Sequence, residues 1–155
     1  MKIRVIAVGA RPRAWVADGF HEYARRLPRE MPLSLVEVAP GGGRGRSAEQ
    51  VMAMESERLL SQLGPKDWVV ALDVGGEGCS TRELALRLEN WRMQGRNVAF
   101  LIGGAEGLAP ACLARADVAL SLSELTFPHE MVRIILAEQI YRAWTIISGH
   151  PYHRE

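Results

Sequence analysis

"FLIGGAEGL", Phe100 to Leu108, runs from an apolar, strand-like segment straight into Gly103, Gly104 and Gly107. Its reading decides which kind of α/β fold the chain forms. A dinucleotide fingerprint needs G-x-G-x-x-G on the first turn of a βαβ unit, with an acidic residue about twenty positions later. Here the first two glycines are adjacent, the segment lies deep in the chain, and the Glu106 carboxylate would face a pyrophosphate. The Gly-Lys-Ser/Thr ending of a phosphate loop is also missing. Two readings stay open: a tight turn, or close approach of backbone to a ligand part that carries no phosphate.

Outward from this stretch the hydrophobic period alternates. "IRVIAV" (Ile3 to Val8), "LSLVEV" (Leu33 to Val38), "WVVALDV" (Trp68 to Val74), "NVAFLI" (Asn97 to Ile102) and "VALSLS" (Val118 to Ser123) read as strands. The third is expected to break at Gly75 and Gly76. Between them, Val16, Phe20, Tyr23, Ala24 and Leu27 fall at helical spacing, as do Met52, Leu59, Leu60 and Leu63, and Leu84, Leu88 and Trp91. Ser80 or Thr81 caps the third of these helices, with Glu83 in its first turn and Gly95 at its end. "APACLARA" gives a short helix, and a long one is expected from about Pro128 to Ser148. Strands alternating with helices predict a parallel-rich sheet with helices on both faces.

One domain spanning 1–155 is the expectation for a chain of 155 residues and 17.2 kDa. No apolar run approaches the roughly eighteen residues of a membrane span. The opening "MKIRVIAVGA", with Arg4 inside its apolar run, reads as a buried strand, so the default compartment is the cytosol. Cys79 and Cys112 are isolated and the histidines supply no paired ligand motif, so no metal site is expected. The net charge is only +1. Residues 1 to 46 nevertheless hold nine basic side chains (Lys2, Arg4, Arg11, Arg13, Arg25, Arg26, Arg29, Arg44, Arg46) against four acidic ones (Asp18, Glu22, Glu30, Glu37). A local surplus of this kind serves a polyanion or is simply a solvated face.

In open α/β sheets ligands bind at the carboxyl ends of strands. "ALDVGG" (Ala71 to Gly76) and "SLSELTFPH" (Ser121 to His129) share that position with Gly103, and three converging ends would form a pocket. "PGGGRGRS" (Pro40 to Ser47) is the candidate mobile loop. The tail "SGHPYHRE" packs two histidines, a tyrosine and an arginine into six residues, a composition suited to a splayed-out base and its phosphate. The last helix is apolar most of the way round: one side is expected on its own sheet and another on a second copy, making a homodimer.

"LIGGAEGL", "LSLSELTFPHEMVRIILAEQIYRAW" and "HPYHRE", with "KIRVIAVG" at the start, resemble the ribosomal RNA large subunit methyltransferase H family, a minimal group of SPOUT methyltransferases. The resemblance covers the whole chain. It implies a C-terminal trefoil knot, an exception to the general absence of knots, and a homodimeric enzyme that uses S-adenosylmethionine. The implied acceptor is N3 of a pseudouridine in a 23S rRNA stem-loop, on the assembled ribosome. The donor-binding residues so implied are Leu72, Gly103, Leu122, Ser123, Glu124, Leu125, Thr126 and Phe127.

Methylating such a nitrogen means removing its proton while nitrogen, methyl carbon and sulfur stay in line. His153, Tyr152, Glu138 and His129 are the candidate bases. Arg133, Arg142 and Arg154 suit phosphate or carboxylate contacts, since a guanidinium stays charged. Arg11, Arg13, Arg44 and Arg46 are candidates for gripping the RNA. The alternatives are a related knotted methyltransferase acting on tRNA, and a non-catalytic RNA-binding or assembly module. The tail of one subunit is expected to complete the site of the other.

Overall fold

A computed structural model describes residues 1–154. The element order is β1 (Ile3–Val8), α1 (Ala14–Ala24), β2 (Leu33–Val38), α2 (Ala48–Leu60), β3 (Trp68–Gly78), α3 (Thr81–Met93), β4 (Val98–Ile102), α4 (Pro110–Arg115), β5 (Val118–Ser121) and α5 (His129–Ser148). A 3-10 turn follows over Pro151–Arg154. The sheet has five strands in the order β2-β1-β4-β3-β5, and every pairing is parallel.

Parallel strands buried on both faces carry near-continuous apolar runs, and the period of two then sorts them to opposite sides. Val5, Ala7, Val70 and Phe100 pack with Leu88, Trp91, Leu136 and Ile140 on the face covered by α1, α3 and α5. Ile6, Val69, Ala71, Ala99 and Leu101 point the other way, toward Leu59 of α2 and Cys112 of α4. The starts of α2 and α3 are fixed by reciprocal capping boxes. In the first, the Ser47 hydroxyl accepts the Gln50 amide (3.1 Å) and the Gln50 side chain accepts the Ser47 amide (2.9 Å). In the second, Ser80 and Glu83 do the same at 3.1 and 2.7 Å, which makes Ser80 rather than Thr81 the cap.

One expectation needs correction. The third strand does not break at Gly75 and Gly76 but runs on to Gly78. Leu72 and Glu77 both pair with Leu120, so a bulge is taken up in between. Gly76 is required there, because a Cβ would lie 2.7–2.8 Å from the backbone of Ala119 and Leu120. The apolar girth of α5 also has a source within one chain. The sheet lies beneath it, and α1 and α3 pack along its flanks.

Candidate functional site

The carboxyl ends of β3 and β5 and the start of α3 enclose a cavity of about 390 Å3. Its walls are Leu72, Cys79, Ser80, Thr81, Leu84, Phe100, Leu120, Ser121, Leu122, Ser123, Phe127, Ile135, Leu136 and Gln139. No charged side chain is among them. A shallower recess of about 110 Å3 adjoins it, and there Asp73, Val74, Leu125 and Thr126 join Leu72, Leu122, Ser123 and Phe127. The loop after β5 holds its shape through its serines. The Ser121 hydroxyl donates to the Ser123 carbonyl (3.1 Å), and the Ser123 hydroxyl accepts the Leu125 amide (2.9 Å). Of the expected donor residues, Leu72, Leu122, Ser123, Leu125, Thr126 and Phe127 line these two hollows; Glu124 is exposed and lines neither.

Gly103 also lines neither hollow. A Cβ on it would meet the Gly107 backbone at 2.6–2.7 Å, and Gly104 and Gly107 form a bridge. The tight-turn reading therefore accounts for this glycine without a ligand. Beside the turn lies Glu55 of α2, 4% exposed. Its Oε2 accepts the Gly41 amide at 3.1 Å. The glycine-arginine loop is thus pinned at its root, while Gly42 to Arg46 stand exposed.

A second, larger cavity of about 730 Å3 lies between α3 and α5, with His153 of the tail on its wall. Thr81, Arg82, Ala85, Leu86, Glu89, Arg142, Ile146, Ile147 and His153 line it. Thr81 belongs to both cavities. The tail packs on its own α5. The Tyr152 ring meets Tyr141 edge-on at 4.7 Å, and the Arg142 guanidinium sits over the Tyr152 ring at 4.9 Å. Glu138 is the polar anchor: its Oε1 accepts from Tyr152 Oη (3.0 Å) and Arg142 Nε (2.8 Å), and its Oε2 accepts from Gln139 Nε2 (2.8 Å). Burial first, and then donation to Glu138 and that carboxylate's charge, push the Tyr152 phenol up to about 12. It is a neutral hydrogen-bond donor near pH 7, which counts against it as the base. His153 lines the larger cavity, and its Nδ1 is buried without a partner. His129 is exposed at the first turn of α5. Glu155 lies outside the described residues.

The arginines separate. Arg133, expected to contact RNA, is 2% exposed: its Nη1 donates to Glu37 (2.8 Å) and its Nη2 to the Val8 carbonyl (2.9 Å). It ties α5 to β1 and β2, and is not placed to meet a phosphate. A sequence signal for this existed, since Arg133 falls on one helical stripe with Leu136, Ala137 and Ile140. Arg142 pairs with Glu138 at the cavity. Arg154 is exposed in the tail. Arg11 and Arg13 follow β1, and Arg44 and Arg46 follow β2, so all four stand exposed at the same end of the sheet as the smaller cavity. Sequence reasoning missed Thr81, Gln139 and the α3 wall, because no local pattern reveals which helix faces which. Among the described residues, no group of three or more His, Cys, Asp or Glu could hold a metal ion, and no helix is long and apolar enough to cross a membrane.

Fold and cavities together define a parallel α/β protein with a cavity free of charged side chains at the carboxyl ends of β3 and β5. The family model described as "Predicted SPOUT methyltransferase" matches residues 1–153. The chain belongs to the SPOUT methyltransferase family. It is 50% identical to the ribosomal RNA large subunit methyltransferase H of Hahella chejuensis over 156 residues, covering 100% of both chains. To the protein of the same name from Methylococcus capsulatus it is 50% identical over 155 residues, covering 99% of this chain and 100% of that one. Among solved structures, a probable methyltransferase from Bordetella pertussis Tohama I superposes with a TM-score of 0.57 at 18% identity, over 91% of this chain and 95% of that one. A probable methylase family protein from Haemophilus influenzae gives 0.55 at 13% identity, over 97% and 69%. These two support the fold alone.

Proposed function

We propose that this chain is a cytosolic, homodimeric enzyme that transfers a methyl group from S-adenosylmethionine to N3 of a pseudouridine in a 23S rRNA stem-loop on the assembled ribosome. The observation that carries the reading is the full-length identity of about half to relatives named for ribosomal RNA methylation. The C-terminal trefoil knot comes with the same reading; the chain leaves β4, crosses β3 and places β5 at the sheet edge beyond it.

The smaller cavity fits the donor. Its volume falls in the roughly 300–1,000 Å3 range of ligand pockets. Its apolar walls carry hydroxyl and amide groups but no cation, which suits a ligand without phosphate. Leu72, Leu122, Ser123 and Phe127 would hold it, with Leu125 and Thr126 at the rim; Gly103 and Glu124 would act through the shape of their loops. When bound, S-adenosylmethionine supplies an electrophilic methyl carbon on a sulfonium, which leaves as a neutral thioether.

The protein's own part is to orient the acceptor and take its proton. His153 is the base of choice among the four candidates, as the imidazole that lines the larger cavity and has a ring nitrogen, Nδ1, without a partner. Glu138 holds Tyr152 and Arg142 in place, and Arg142, Arg154, Arg11, Arg13, Arg44 and Arg46 supply positive charge for the RNA backbone. For the homodimer, the support is apolar surface that one chain leaves open, above all Leu86, 72% exposed on the α3 side of the larger cavity.

The test is methyl transfer in parallel to intact ribosomes, free large-subunit RNA and tRNA, followed by mapping of the modified base. Modification of tRNA alone, or no donor binding by calorimetry, would overturn the reading. Deleting residues 152–155 is expected to leave donor binding intact and abolish methylation. Heterodimers of a tail-deleted subunit with a donor-site variant then report whether the tail serves its own cavity or its partner's.

A further inference from the structure

Thr81 lines both cavities, Gln139 lines the smaller, and neither has a part in the chemistry above. They are joined by an unbroken hydrogen-bond chain to the tail. Thr81 Oγ1 donates to Gln139 Oε1 at 2.6 Å, Gln139 Nε2 donates to Glu138 Oε2 at 2.8 Å, and Glu138 Oε1 accepts from Tyr152 at 3.0 Å. Side chains of successive helical residues do not normally face each other. The contact between Glu138 and Gln139 therefore needs a third group to draw the amide into place, and Thr81 is that group.

The direction of every bond follows from one charge. A carboxylate accepts only, so the Gln139 amide must turn its nitrogen toward Glu138; the reverse orientation sets oxygen against oxygen. Oε1 then faces Thr81, whose hydroxyl hydrogen must point to it. Thr81 therefore commits its hydroxyl hydrogen to Gln139, and its part is to hold that amide in place.

We propose that Thr81 and Gln139 are positioning residues that tie the wall of the donor cavity to the docked tail through Glu138. The catalytic half of this inference rests on the methyltransferase reading; the coupling half does not. Thr81 is the first helical residue of α3, not its cap, so Thr81→Val keeps the Ser80–Glu83 box. Gln139→Met is the second variant and removes the amide at similar volume.

Amide hydrogen exchange across His150–Arg154, measured on the ligand-free full chain, reads the coupling. Losing one hydrogen bond of this kind predicts roughly tenfold faster tail exchange in both variants. Thr81→Ser should restore the wild-type rate, with α3 exchange unchanged. On ribosomes, kcat should fall about tenfold while the S-adenosylmethionine Kd, by calorimetry, stays within about twofold. Wild-type tail exchange in both variants would overturn the proposal, and so would Thr81→Ser behaving like Thr81→Val. Acceleration spread over α3 as well would also overturn it, since that is fraying of a helix. Faster tail exchange in a protein that methylates no RNA would sink the enzymatic reading and leave the coupling standing.

Discussion

Arg133 and Arg142 sit nine residues apart on α5, and each holds a carboxylate, at 2.8 Å to Glu37 and 2.7 Å to Glu138. Their surroundings are opposite. Arg133 reaches across 96 residues to β2, fills the space beside Gly9 and leaves its Nε without a partner. Arg142 pairs four residues back on its own helix, lies over the Tyr152 ring and lines a cavity. The same guanidinium is thus a clasp of the fold in one place and part of a cavity wall in the other. What decides between them is the origin of the carboxylate: a distant strand fixes tertiary structure, whereas a neighbouring turn leaves the cation on a cavity wall.

The largest effect should come from the buried member. Arg133→Ala strands the Glu37 carboxylate and opens a void against the Val8 carbonyl, and removing one partner of a buried pair costs about 3–5 kcal/mol. Because Glu37 is partly exposed, the low end is expected, read as a shift in the urea midpoint. A loss under about 1 kcal/mol would put Arg133 in the same class as Arg142. Next comes Arg142→Ala. Its pair is local and partly solvated, so stability should change by less than about 1 kcal/mol. Methylation should drop by about a hundredfold if the guanidinium meets charge in the transition state. Unfolding without a specific rate loss would erase the contrast.

A third variant approaches Arg133 from its neighbour. A Cβ on Gly9 would run into Arg133 Nη2. Gly9→Ala should therefore cost about 1–3 kcal/mol by overpacking while leaving donor affinity alone. Unchanged stability would mean that the clasp yields easily. Because the strain falls on a charged group rather than on backbone, this effect should stay below that of Arg133→Ala.

Much of the fold was legible because the strands differ from the helices in period, and four of the five end at or close to glycine or proline. β1 and β2 have the bounds expected from their alternation. β3 ran four residues further than expected, since adjacent glycines weaken a strand on paper while Leu120 and Ser121 supply partners that only the folded chain reveals. Composition singled out the loop from Leu122 to Phe127 and the tail, and these segments line the smaller hollows and the larger cavity. At Gly103 the sequence left a tight turn and a ligand contact both open, and the nearby Gly107 backbone accounts for the turn. Arg133 was misplaced because residue type outweighed its stripe. Thr81 and Gln139 stayed invisible, since a threonine and a glutamine 58 residues apart acquire meaning only once α3 and α5 are side by side.

The smallest predicted effect distinguishes the two arginines by their electrostatic reach. Tyr152 is pushed up to about 12 from an ordinary 10, by burial first and then by Glu138, with Arg142 pulling weakly the other way. A phenol whose folded value is raised favours the folded state in its protonated form. The stability it contributes is therefore fully present below about pH 10 and is lost as the pH climbs toward 12. Tyrosinate absorbance of the wild type minus that of Tyr152→Phe should show one phenol titrating late, and titration near 10 would mean that the tail is not docked on Glu138. Arg142→Ala should move this late phenol further up, because a nearby cation has been removed while burial remains. Gly9→Ala, which disturbs only Arg133, should leave it where it is; a shift of similar size there would show that α5 transmits strain from the clasp to the site, and the two arginines would no longer be separable.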